Sequence, residues 1–177
     1  MKPGFCYLAE RIEAGQAVRR ITEVFARNRV SLANPYSGRV TELDDEGNQV
    51  DATEEELIQA ARARARLTFQ LWFSPDTDIG CSFRQGTSDI VCHAYSVDGL
   101  NADERAQLVR WAIQYFRQAV TDQTALLLVA DPAWRTADID WDGVAAERVG
   151  FPRVGRRRSR VRIPAPRPLM SLWGNDL

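Results

Sequence analysis

The segment CSFRQGTSDIVCHA contains two cysteines and the chain's single histidine, residue types that bind soft metal ions or act as nucleophile and base. On a β-strand, adjacent side chains point to opposite faces, so His93 projects away from Cys92 and cannot join Cys81 and Cys92 around one ion. We therefore predict reduced core cysteines, a partly buried structural histidine, and neither a metal nor a cofactor.

Sequence motifs that would indicate enzymatic chemistry are absent. The chain has no GxSxG or HExxH motif, and it has neither GxGxxG nor GxxxxGK[ST] for binding phosphate groups. Catalysis by His93 would also need a third group to orient the ring, and the sequence identifies none. A non-enzymatic function is therefore the expectation.

The segment DIDWDG places Asp138, Asp140 and Asp142 at alternate positions before Gly143, as in the first half of a calcium-binding loop. The twelfth position of such a loop needs a glutamate, and here it is Val149. A calcium site is therefore not predicted. The three aspartates remain candidates for a surface that binds a partner.

The same segment has a structural interpretation. Asp140 or Asp142 is predicted to cap a short helix, WDGVAAERV, with Trp141 pointing into the core. A metal-dependent hydrolase that uses the carboxylates from Asp131 to Asp142 is an alternative, although their spacing does not require it.

A second candidate surface lies at residues 155–168, GRRRSRVRIPAPRP. With a period of two, Ser159, Val161 and Ile163 point one way and arginines point the other, which predicts a half-buried strand with a basic outer face. Such a strand can pair with an open sheet edge, or its arginines can contact an acidic partner or nucleic-acid phosphates. The candidate arginines are Arg156, Arg157, Arg158, Arg160 and Arg162.

The final residues, IPAPRPLMSLWGNDL, combine alternating prolines with several large apolar side chains. Disordered tails seldom carry so many apolar groups. We predict that this tail lies in a groove of its own domain, and the alternative is that it docks into a partner with Trp173 as the anchor.

The charge is distributed unevenly, although the net charge is only −1. Residues 1–147 hold fifteen basic and twenty-three acidic side chains, whereas residues 148–177 hold eight arginines and one aspartate. This distribution predicts an acidic domain over residues 1–150, followed by an Arg/Pro-rich segment over 151–177 that docks on the domain as a strand or arm. Without an apolar run of about 20 residues, we expect a bacterial cytoplasmic protein.

Several elements are predicted to position these candidate residues. Residues 6–28 have apolar side chains at roughly helical intervals and predict a surface helix. A hairpin through DDEGN follows, and Asp51 or Thr53 then begins a second helix. A third helix starts at Asn101, forms a capping box with Glu104 and continues to about Val120. ALLLVA, residues 125–130, predicts a strand that is buried on both faces.

Alternating apolar residues between these helices predict a three-stranded antiparallel meander over residues 67–97. A two-residue loop at Gly86 and Thr87 would place the strand residues in pairs. The pairs predicted by that loop are Arg84 with Asp89, Phe83 with Ile90, and Cys81 with Cys92.

Together these elements predict an α+β fold. Its mixed, mainly antiparallel sheet would consist of the meander and one strand after the long helix, with helices covering one face. The acidic domain favours a non-enzymatic interaction protein that binds a basic protein, and by analogy of fold class alone an immunity or inhibitor protein is one form of it. A nucleic-acid-associated protein that uses the C-terminal arginines is an alternative.

Overall fold

The computed structural model of this chain describes residues 4–86, 89–131, 138–145, 159–162 and 169–172, the last two ranges by their backbone alone. The strands are β1 (Phe5–Arg11), β2 (Val40–Leu43), β3 (Gln49–Ala52), β4 (Arg66–Ser74), β5 (Thr77–Gln85), β6 (Ile90–Ser96), β7 (Ala125–Asp131), β8 (Ser159–Arg162) and β9 (Leu169–Leu172). The helices are α1 (Ala14–Arg27), α2 (Glu54–Ala63), α3 (Ala102–Thr121) and α4 (Trp141–Ala145).

The described strands form one sheet in the order β3-β2-β4-β5-β6-β1-β7-β9-β8. Every neighbouring pair from β3 to β7 is antiparallel, whereas β7 and β9 are parallel and β8 is antiparallel to β9. The chain is therefore an α+β protein with a mainly antiparallel sheet, as predicted. No helix in the described ranges is both long and apolar enough to span a bilayer.

The prediction of one helix over residues 6–28 is wrong in its first third. Residues 5–11 form β1, which lies between β6 and β7 in the middle of the sheet. The side chains from Cys6 to Glu10 are buried on both faces of this strand. The apolar residues among them therefore follow one another without alternation, and they matched a helical period by chance. The helix begins only after Glu13, whose carboxylate accepts hydrogen bonds from the amides of Gly15 and Gln16.

The predicted register between β5 and β6 is also wrong, by three residues. The loop is longer than two residues, because the amide of Gly86 donates to the carbonyl of Ile90 and Asp89 adopts a positive φ of 63°. The observed pairs are Cys81 with Tyr95, Phe83 with His93, and Arg84 with Cys92. The predicted pairs Cys81–Cys92, Phe83–Ile90 and Arg84–Asp89 therefore do not form.

The large helices and the small one lie on opposite faces of the sheet. Buried side chains of α1, α2 and α3 form the main core with one face, and this core includes Phe69, Phe83 and Phe116. Trp141 and Ala145 of α4 pack on the other face, against β1, β6 and β7. Most of the apolar burial is therefore on the first face, and we call the second the open face.

Two of the helix starts follow the predicted capping chemistry. Thr53 accepts from the amide of Glu56 and begins α2, and Asn101 accepts from the amide of Glu104 and begins α3. In both cases the glutamate side chain bonds back to the capping residue's amide, which completes a capping box. Local sequence therefore predicted the start of α3 at Asn101, and for α2 it left Asp51 and Thr53, of which Thr53 is the observed cap.

Candidate functional site

The open face contains a cavity of about 570 Å³. Its floor consists of small side chains on β5 and β6, among them Gly80, Ser82 and Ala94. A methyl group placed on Gly80 would meet no atom within 4 Å, so this glycine leaves space above the sheet. Small residues at these positions of β5 and β6 therefore leave room for the cavity on the open face.

The rim of the cavity is acidic and partly aromatic. Asp98, Asp140 and Asp142 line it, and Arg84 is the one cationic side chain among its described lining residues. Phe5 and Trp141 also line it, and Trp141 is packed into the second core. The lining therefore combines apolar surface with three carboxylates and one guanidinium.

Asp142 joins three elements at the edge of this cavity. The hydroxyl of Tyr7 on β1 donates to its Oδ1 at 2.6 Å, and Nη1 of Arg84 on β5 donates to its Oδ2 at 3.0 Å. The Asp142 side chain is 32% exposed and that of Arg84 is 51% exposed. We call these three residues the Asp142 cluster; it connects α4 to the sheet and stays in contact with water.

Burial, followed by the neighbouring Cys92 and the hydrogen bond to Asp142, raises the pKa of Tyr7 well above its ordinary value. Tyr7 therefore keeps its proton and remains a hydrogen-bond donor to Asp142. Burial also raises the pKa of the Cys92 thiol to about 12. Because the thiolate is the reactive form of cysteine, Cys92 is unreactive at neutral pH.

A second polar cluster lies on the helix-covered face, around Glu10. The hydroxyl of Tyr115 donates to its Oε1, and Nε2 of His93 lies 3.5 Å from the same oxygen. Nη1 of Arg20 donates to Oε2 at 2.8 Å, and the Thr124 hydroxyl also donates to it, at 3.2 Å. We call this set the Glu10 cluster; it joins β1, β6, α1 and α3.

Opposing effects act on the pKa of Glu10. Burial raises it, but the contacts with His93 and Tyr115 and the charge of Arg20 outweigh burial and hold it below its ordinary value. His93 is fully buried, so the prediction of a partly buried histidine is corrected, and its Nδ1 lies 2.6 Å from the hydroxyl of Tyr95. With its central carboxylate 1% exposed, the Glu10 cluster is part of the core.

The structure brings together only some of the predicted site residues. Asp140 and Asp142 line the cavity, whereas Asp138 is exposed and outside its lining. Oδ1 of Asp140 accepts from the amide of Gly143 at 2.8 Å, so Asp140 has the predicted capping interaction. Asp131 is buried at the end of β7. Within the described ranges, no three histidine, cysteine or acidic side chains are grouped closely enough to hold a metal ion.

The cysteines are buried free thiols, Cys6, Cys81 and Cys92. Cys81 lies on the helix-covered face and Cys92 on the open face, so the two are separated by the sheet. Burial raises the pKa of both thiols above the ordinary value.

The predicted basic surface is described only in part. The backbones of Arg160 and Arg162 lie in β8, at the edge of the sheet beyond β9. The other candidate residues of this segment, Arg156, Arg157, Arg158 and Trp173, lie outside the described residues. The predicted contacts of this segment with a partner or with nucleic acid remain predictions.

Sequence reasoning missed the contacts of Tyr7, Arg84 and Gly80, and of the Glu10 cluster it identified only His93, as a structural histidine. The one available signal was Glu10 itself, a charged residue at the end of the apolar run FCYLA. The other residues come together only through pairing of distant strands. The chemistry of the cavity therefore has to be inferred from its own side chains: compared with known protein families, curated proteins and solved structures, the chain matches none.

Proposed function

We propose that this chain is a non-enzymatic binding protein whose open-face cavity receives a basic segment of a protein partner. The observation that carries the proposal is the composition of the cavity: small residues and aromatic surface, with three carboxylates and one guanidinium at the rim. The apolar surface can bury the apolar part of a partner's side chain, and the excess of carboxylates favours a side chain with a positive charge.

The charge of the rest of the chain supports the same partner. Residues 1–147 have eight more acidic than basic side chains, so their field attracts a cationic protein before contact. Acidic side chains outside the cavity, such as Asp44 and Glu55, contribute to this field. Inhibition of a basic toxin, as by an immunity protein, is one specific form of this function.

A site-specific photocrosslinker tests the proposal. Benzoylphenylalanine replaces Ser82, on the cavity floor, in one variant, and exposed Gln114 on α3 in a control variant. Each full-length variant is expressed and illuminated in cells of the organism that the protein comes from, and mass spectrometry identifies the crosslinked peptides. We expect peptides rich in arginine or lysine from position 82 and not from position 114.

Three outcomes would contradict the proposal. Equal crosslinking from both positions would mean that the cavity has no special role in binding. Crosslinking of position 82 to nucleic acid would favour the nucleic-acid-associated alternative. Calorimetric heat with magnesium, manganese or calcium that disappears in Asp140→Asn would instead favour the hydrolase alternative.

A further inference from the structure

The two oxygens of Asp142 differ in how readily their partners can be replaced. Oδ1 accepts from Tyr7, which is buried and keeps its proton. Oδ2 accepts from Arg84, whose side chain is half exposed and reaches Asp142 from another strand. Only the Oδ2 contact can therefore be exchanged without leaving a buried polar group unpaired.

Exchange of this contact costs little. An ion pair as exposed as Arg84–Asp142 contributes little to stability, because water screens it and solvates both partners once they separate. A released Arg84 side chain regains water instead of becoming a buried charge. A second cation that reaches Oδ2 therefore competes with Arg84 on nearly equal terms.

The shape and chemistry of the cavity favour a guanidinium over an ammonium group. A planar guanidinium can donate two hydrogen bonds in a fork and can stack on aromatic rings, whereas an ammonium group is a compact, strongly hydrated charge. Asp140 lies at the rim beside Asp142, and Phe5 and Trp141 supply the aromatic surface. Arg84 itself already places a guanidinium on Asp142.

We infer that the cavity is an arginine-binding site in which an arginine of the partner replaces Arg84 on Oδ2 of Asp142. This inference rests on the proposed function, since it specifies which side chain of the basic partner enters the cavity. Arg84 then occupies the site in the free protein. Its removal strengthens binding, which is the opposite of what a residue that contacts the ligand would do.

The test uses N-acetyl-arginine amide as the ligand of the full-length, ¹⁵N-labelled protein, followed by NMR. N-acetyl-citrulline amide, which has nearly the same shape but no charge, is the ligand control, and N-acetyl-lysine amide tests for a guanidinium. We expect the amides of Gly80, Ser82 and Ala94 to shift with the arginine ligand, less with lysine and not with citrulline.

Three variants test the predicted direction of change in the affinity for the arginine ligand. Arg84→Gln should bind the arginine ligand about two- to fivefold more tightly, which corresponds to the loss of one exposed ion pair as competitor. Asp142→Asn should weaken binding at least about fivefold while it keeps the acceptor for Tyr7. Arg66→Gln is the matched control, because Arg66 lies opposite Arg84 in the register of β4 and β5 but does not line the cavity. This substitution should change the affinity for the arginine ligand little.

Equal binding of arginine and citrulline, or weaker or unchanged binding in Arg84→Gln, would overturn the inference. Thermal unfolding of each variant shows whether it is folded. The experiments distinguish failure of the two proposals. If position 82 crosslinks to a basic partner, but Arg84→Gln and Asp142→Asn bind that partner as tightly as the wild type does, only the arginine site is wrong. If position 82 crosslinks no basic partner, the proposed function fails as well.

Discussion

Glu10 and Asp142 lie on opposite faces of the same sheet, and each carboxylate is bound by a tyrosine hydroxyl and an arginine. Their accessibility differs: the side chain of Glu10 is 2% exposed, and that of Asp142 is 32% exposed. Removing one partner of a buried charge strongly lowers the stability of the fold. The contacts of the Glu10 cluster therefore keep the folded chain in a single arrangement. The Asp142 cluster can exchange a partner with solvent or with another molecule, so the same chemistry can serve binding there.

The largest expected effect is the loss of the charge on Glu10. Glu10→Gln should lower the free energy of unfolding by about 3 kcal/mol, because the amide places its NH2 group against one of the donors, Tyr115 or Arg20, and leaves Arg20 without its buried counter-charge. Asp142→Asn should lower it by about 1 kcal/mol or less. Urea unfolding followed by tryptophan fluorescence measures both. Equal losses would remove the distinction between the two faces.

The buried carboxylate of Glu10 also predicts a loss of stability in acid. The pKa of Glu10 is lowered by folding, so the unfolded chain takes up its proton more readily. The stability that Glu10 contributes is therefore complete above its ordinary pKa of 4.5 and is lost as the pH falls below it.

Unfolding free energies measured between about pH 5 and pH 3 test this coupling of Glu10 to folding. The wild type should lose more stability over this range than Glu10→Gln does. Glu23→Gln, which removes an exposed carboxylate next to Arg27, is the control and should follow the wild type. If the curves of the wild type and Glu10→Gln stay parallel, the coupling of Glu10 to folding is wrong.

An identical substitution at each tyrosine compares the clusters directly. Tyr115→Phe removes a hydrogen bond to a buried carboxylate and should cost about 2 kcal/mol. Tyr7→Phe should cost about 1 kcal/mol, because water can reach Asp142 and replace the lost donor. Differential scanning calorimetry of the two variants measures the difference, and a larger loss for Tyr7→Phe would reverse the assignment of the clusters.

The smallest expected effect on stability comes from filling the cavity. Gly80→Val adds a side chain where the open face has free space, so stability should stay within about 0.5 kcal/mol of the wild type. Crosslinking from position 82 to the basic partner should nevertheless be lost, because the added side chain occupies the binding space. Gly80→Ala should reduce it less. A stable Gly80→Val variant with unchanged crosslinking would show that the partner does not enter the cavity.

The sequence predicted the elements whose signals are local. The start of α2 at Thr53, one of the two predicted positions, the capping box at Asn101, the hairpin through DDEGN and the buried strand ALLLVA all depend on residues within a few positions of one another. The sequence did not predict β1, because a strand buried on both faces has no alternation that distinguishes it from a buried helix. The β5–β6 register was predicted incorrectly for a different reason, because the composition of the loop between the two strands does not indicate its length.

The sequence by itself determined the class of fold, the starts of two helices and the acidic character of residues 1–147, because each of these follows from composition or from contacts along the chain. Only the tertiary structure decided that Glu10 meets Tyr115 and His93, and that Asp142 meets Tyr7 and Arg84 beside a cavity. These side chains are separated by 58 to 135 positions and are brought together by strand pairing and helix packing. Strand order and register therefore determine which charges are buried and which stay accessible.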